Sequence, residues 1–143
     1  MNRDLNNKFS WKTATFMAKL SYHAYDGLDE FKKVFKKDWD IKFFDWGGTE
    51  CFILSCPKNY IVSFRGTQAT SWEDIKADIN VHKSKREYQP NNSGTGSFGK
   101  VHSGFRHALN DIWDNLLEDY TRNGKGKQLL VTGHSLCGAL ATL

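Results

Sequence analysis

Apolar and polar positions alternate along this chain with two periods, near four and near two, and the period changes wherever glycine, proline and asparagine cluster. After Ser10, a side chain suited to an N-cap, Trp11, Ala14, Thr15, Ala18, Tyr22 and Tyr25 recur at three- and four-residue intervals until Asp26-Gly27. That spacing predicts an amphipathic helix packed on a core. Phe31, Val34 and Phe35 predict a short second helix, and Ile41-Lys42-Phe43-Phe44 a strand ahead of the Trp46-Gly47-Gly48 turn. Glu50 to Ser55 and Tyr60 to Phe64 read as two strands joined by Pro57-Lys58-Asn59, an antiparallel hairpin.

Beyond the hairpin, Ser71-Trp72-Glu73-Asp74 starts like a capping box, with Trp72, Ile75 and Ile79 on one side of a short helix. Residues 85 to 100 lose periodicity to Pro, Asn, Ser and Gly and read as a surface loop. Helical spacing returns from Gly104, where Phe105, Ala108, Leu109, Ile112, Leu116 and Tyr120 form a stripe closed by Asn123-Gly124. A strand over 128 to 132 follows. Strand, helix, strand in that order predicts a crossover unit whose two strands lie parallel in one sheet.

The last stretch carries the candidate chemistry. The run Gln128-Leu129-Leu130-Val131-Thr132 leads into Gly133-His134-Ser135-Leu136-Cys137-Gly138, with an alanine- and leucine-rich segment behind it. Strand, sharp turn and helix around a serine is the setting of a nucleophile elbow, in which small neighbours let strand and helix approach and the hydroxyl projects into a cleft. Gly133 fits that need; Cys137 stands where the G-x-S-x-G pattern has glycine, and its side chain would cost about 1–3 kcal/mol if the crossing leaves no room. The start of a helix after Ser135 also offers backbone N–H groups to a developing oxyanion.

Composition narrows the classes. With 143 residues, 39% of them hydrophobic, the chain suits one domain, 1–143, with a real core. A net charge of +4 is spread over small clusters, Lys32-Lys33, Lys36-Lys37 and Lys83 to Arg86, without the aromatic interleaving of a nucleic-acid surface. Solvated faces explain them, and nucleic acid is not an expected partner. Cys51, Cys56 and Cys137 form no paired spacing; Cys51 and Cys56 would point to opposite faces of the sheet, so neither a disulfide framework nor a zinc site is expected. No cofactor or metal is called for. The first eight residues lack the apolar stretch of a leader and no run reaches membrane-spanning length, so the expectation is a cytoplasmic chain or one exported without a leader.

Four stretches occur together in one order: Tyr22 with Tyr25, Ile61-Val62-Ser63-Phe64-Arg65-Gly66-Thr67, Val101-His102-Ser103-Gly104-Phe105, and Val131-Thr132-Gly133-His134-Ser135-Leu136. The set resembles the class 3 (fungal-type) lipases, whose signatures are F-R-G-[ST], H-x-G-F and G-H-S-L-G-G. The resemblance implies an α/β fold, an α/β-hydrolase-type sheet with flanking helices, ending here shortly after the nucleophile elbow. It implies Ser135 as the catalytic nucleophile, forming an acyl-enzyme with a carboxylic ester. It implies an oxyanion hole from the Leu136 backbone N–H and from Thr67, and a lid bearing Trp72, Ile75 and Ile79. The implied partner is a lipid or ester substrate, met at a lipid–water interface.

His134 adjoins Ser135 on a tight turn, where neighbouring side chains diverge, and is read as a packing residue. The resemblance gives His102 a structural part, and Arg65 is read as structural too. His23, His82 and His107 fall in segments with no catalytic match. In α/β hydrolases the acid and the histidine follow the nucleophile, whereas no Asp or His follows Ser135 in this sequence. Two readings stand: the N-terminal part of a lipase domain, in which the last strand is left unpaired on one side and the elbow helix unburied, or a non-catalytic, binding relative.

Overall fold

The computed structural model describes residues 8–46, 48–65 and 103–143. The chain opens with α1 (Trp11–His23), capped by Ser10, whose Oγ accepts from the Thr13 N–H at 3.0 Å. A 3-10 turn (Ala24–Asp26) leads into α2 (Leu28–Phe35). Three strands follow, β1 (Asp40–Trp46), β2 (Thr49–Ser55) and β3 (Asn59–Arg65), then α3 (Ser103–Asn123), β4 (Gln128–Gly133) and α4 (Leu136–Leu140).

The four strands form one mixed sheet in the order β1-β2-β3-β4. β1, β2 and β3 make the two antiparallel pairs that their short polar turns allow. β3 and β4 run parallel, Ile61 opposite Leu130 and Phe64 opposite Gly133, as the intervening helix requires. β-branched and aromatic residues crowd β2 and β3, which are buried on both faces; β1 and β4 are the edges.

Period-two alternation sorts the sheet's side chains into two cores. On one face Phe52, Leu54, Cys56 and Ile61 pack against Phe16, Leu20 and Ala24 at the start of the chain and against Phe31 and Phe35 of α2. On the other, Cys51, Ile53, Tyr60, Val62 and Phe64 meet Leu109, Ile112 and Leu116 of α3 with Cys137 and Leu140 of α4. Cys51 and Cys56 therefore do lie on opposite faces, and all three cysteines are free thiols.

Two expectations are corrected. The α1 stripe predicted to pack on the core does not: Trp11 is 79% and Tyr22 71% exposed, and the buried face is Phe16, Leu20 and Ser21. The Trp11 stripe and the Phe16 stripe share the helical period, and only the sheet decides between them. The elbow helix is not left bare either, since Cys137 and Leu140 are buried in the second core. On β4, Leu129 and Val131 are exposed.

An ionic lock ties the sheet to α3. Asp119, only 8% exposed, accepts from Tyr60 Oη at 2.8 Å and from Asn123 Nδ2 at 3.2 Å, and pairs with Lys42 of β1. Burial alone would raise the Asp119 carboxyl, but the hydrogen bonds from Lys42 and Tyr60 and the Lys42 charge together hold it below the usual carboxylate range. Among the described residues no helix is long and apolar enough to cross a membrane.

Candidate active site

β4 delivers the chain to a turn at its C-terminal end. Ser135 sits there with φ 58° and ψ −127°, the one non-glycine residue at positive φ among the described residues. Such a conformation costs an L-residue on the order of 1–3 kcal/mol and persists only where the surroundings over-determine it. Here the Gly138 N–H donates to the Ser135 carbonyl at 3.0 Å and the Cys137 N–H to the His134 carbonyl at 3.2 Å, locking the first turn of α4 onto the strand end. Gly133 makes the approach possible: a Cβ at that position would sit 2.2 Å from the Cys137 carbonyl oxygen. The Ser135 side chain stays exposed at the mouth of a cleft.

That cleft, of about 1130 Å³, lies between the turn and α1. Thr132 to Ser135 form one wall; Ala14, Met17, Ala18, Tyr22 and Tyr25 form the other. Beneath it Ser21 Oγ and Thr132 Oγ1 lie 2.7 Å apart, joining α1 to β4 just before the elbow. His134 meets Tyr25, with Nδ1 3.2 Å from the phenol oxygen and the rings edge to face. Burial raises the Tyr25 hydroxyl above its ordinary pKa, so it stays protonated. Among the described residues no histidine is hydrogen-bonded to Ser135: His23 pairs with Asp26 at 2.8 Å, and His107 is exposed on α3.

The Cys137 side chain is seated in the crossing. It is 4% exposed, and its Sγ donates to the Arg65 carbonyl at 2.9 Å, a close sulfur–oxygen approach. Burial pushes the thiol up to about 11, which keeps it neutral and able to donate. Arg65, at the end of β3, pairs with Glu50 of β2. The elbow is thus anchored to the strand end that leads into Gly66-Thr67. Thr67 itself, the predicted lid with Trp72, Ile75 and Ile79, the predicted loop over 85–100, His82 and His102 lie outside the described residues. Leu136 opens α4, where helix geometry leaves its N–H without an acceptor inside the helix.

The cleft wall on α1 is what sequence reasoning missed. Ala14, Ala18, Tyr22 and Tyr25 were visible as one stripe, and the same stripe turned out to line the cleft instead of the core. Two small alanines beside two tyrosines were the available signal.

This sheet, with its elbow and crossover helix, defines an α/β hydrolase fold. It superposes on a Rhizomucor miehei lipase in its propeptide complex, a deletion mutant, with a TM-score of 0.61 at 22% identity, covering 91% of this chain and 43% of that one. A triacylglycerol lipase whose catalytic centre is formed by a serine-protease triad gives 0.59 at 21% identity, over 93% of this chain and 54% of its own. The triacylglycerol lipase of Penicillium expansum gives 0.57 at 24%, over 87% and 48%. Residues 61–143 match the model of the class 3 lipases, and the chain belongs to that family. It spans about half the length of the structures it matches. No curated protein matches it by sequence.

Proposed function

We propose that this chain supplies the nucleophile and part of the oxyanion hole of a serine ester hydrolase acting on acylglycerols or related lipid esters. The observation that carries the reading is the backbone of Ser135, held at positive φ on a strand-to-helix turn with its side chain exposed to a cleft. Ser135 Oγ attacks the ester carbonyl and gives up its proton to a base. The carbonyl oxygen becomes an oxyanion, received by the Leu136 N–H at the start of α4 and by Thr67. Collapse expels the alcohol and leaves an acyl group on Ser135; attack by water frees the acid. Membership of a lipase family and the likeness to triacylglycerol lipases support the ester as substrate.

A second reading is favoured by the engagement of His134 with Tyr25, which leaves no histidine hydrogen-bonded to Ser135 among the described residues. In that reading the chain binds lipid or ester without turning it over, because removal of a triad's base leaves only the small residual catalysis of oxyanion hole and binding. A fluorophosphonate probe separates the two. Adduct formation at Ser135 in the folded chain, abolished in Ser135→Ala, supports the nucleophile. A chain with folded circular dichroism and an unlabelled Ser135 supports binding alone.

A further inference from the structure

Helix α1 has three faces. At 100° per residue, Phe16 and Leu20 point into the core, where Ala24 of the following 3-10 turn joins them, while Ala14, Met17, Ala18 and Ser21 turn toward the cleft that Tyr25 of that turn also lines. The remaining arc carries Trp11, Thr15 and Tyr22, flanked by Lys12 and Lys19 on the side away from the cleft. Trp11 is 79% exposed, and Phe9, stacked edge-on against it with ring centroids 5.3 Å apart, is 76% exposed. No Asp or Glu occurs from Lys8 to Tyr25, while Lys8, Lys12 and Lys19 are cations. Large exposed rings cost free energy in water, and nothing within the described fold requires them on this arc.

We infer that the outward face of α1 is a docking surface for an anionic lipid surface. Rings with a polar end, Trp11 and Tyr22, sit favourably at the boundary between headgroups and acyl chains, and flanking lysines match anionic headgroups. The helix would lie flat, its roughly 20 Å length along the interface. The aromatic arc is continuous with the cleft wall through Ala18 and Tyr22, so the same contact turns the mouth beside Ser135 toward the lipid. That the docked lipid also presents the ester rests on the nucleophile reading; the docking itself does not.

The test is sedimentation with vesicles, needing no turnover. The chain binds vesicles of equimolar phosphatidylglycerol and phosphatidylcholine and binds pure phosphatidylcholine much more weakly, and added salt loosens it. Phe9→Ser with Trp11→Ser, and separately Lys12→Glu with Lys19→Glu, weaken binding by about tenfold or more. These side chains are exposed, so the variants keep the melting temperature of the parent. Ser135→Ala binds as the parent does, whatever it does to the chemistry. Failure of the parent chain to bind the anionic vesicles, or variants that bind them as tightly as the parent, overturns the inference.

Discussion

At the scale of single residues, the site turns on Ser135 and the side chain two positions beyond it. Gly133 was legible as a requirement of the elbow, and the structure gives its reason in a 2.2 Å approach that only hydrogen can occupy. Cys137 was legible only as a departure. A pattern cannot say whether an extra side chain finds space; that depends on Arg65, distant in sequence, offering a carbonyl at 2.9 Å. Replacing Cys137 by Gly removes a buried side chain, its S–H donor and some helix propensity, and should cost about 1–3 kcal/mol in thermal or urea unfolding. Cys137→Ser keeps a donor and should lose less. A thiol pushed up to about 11 by burial should also resist iodoacetamide in the native chain and react on unfolding. Native-state alkylation of Cys137 would contradict the described crossing.

At the scale of elements, the hairpin, the crossover helix and β4 followed from local pattern because their periods and turn residues point one way. The Leu109, Ile112 and Leu116 stripe buries as its spacing implies. α1 shows where such reading ends. Two stripes compete on that helix, and the larger aromatic one lies outside the core. The tie between β1 and α3 was not legible either, since Lys42 and Asp119 are 77 positions apart. Its effect on stability has a sign. The folded Asp119 carboxyl titrates below its unfolded value of about 3.9, so the contribution is complete above that value and disappears as pH falls through the lower folded one. Asp119→Asn should therefore destabilise by about 2 kcal/mol at neutral pH, with the gap between variant and parent shrinking in acid. A gap constant from neutral to acid pH would contradict the lock.

At the scale of the whole molecule, two helical layers sandwich a four-stranded sheet and the cleft opens where β4 meets α1. The order of strands, turn and helix around Ser135 was legible because an elbow is local. The cleft's opposite wall was not, since it depends on α1 packing beside β4 through Ser21 and Thr132, 111 positions apart. Leu129 and Val131 leave β4 as an apolar edge strand, the kind of surface that natural sheets cover or pair.

The proposed nucleophile also predicts what accumulates. In the proposed reaction an acyl group sits on Ser135 before water frees it, and quenching in acid during turnover of an activated ester should trap that intermediate. Incubation of the folded chain with p-nitrophenyl butyrate, acid quenching and peptide mapping by mass spectrometry would read this directly. The account predicts a butyryl group on Ser135, absent from Ser135→Ala and from the chain acylated after unfolding. A folded chain with Ser135 unmodified, or with the acyl group on other residues alone, would contradict it.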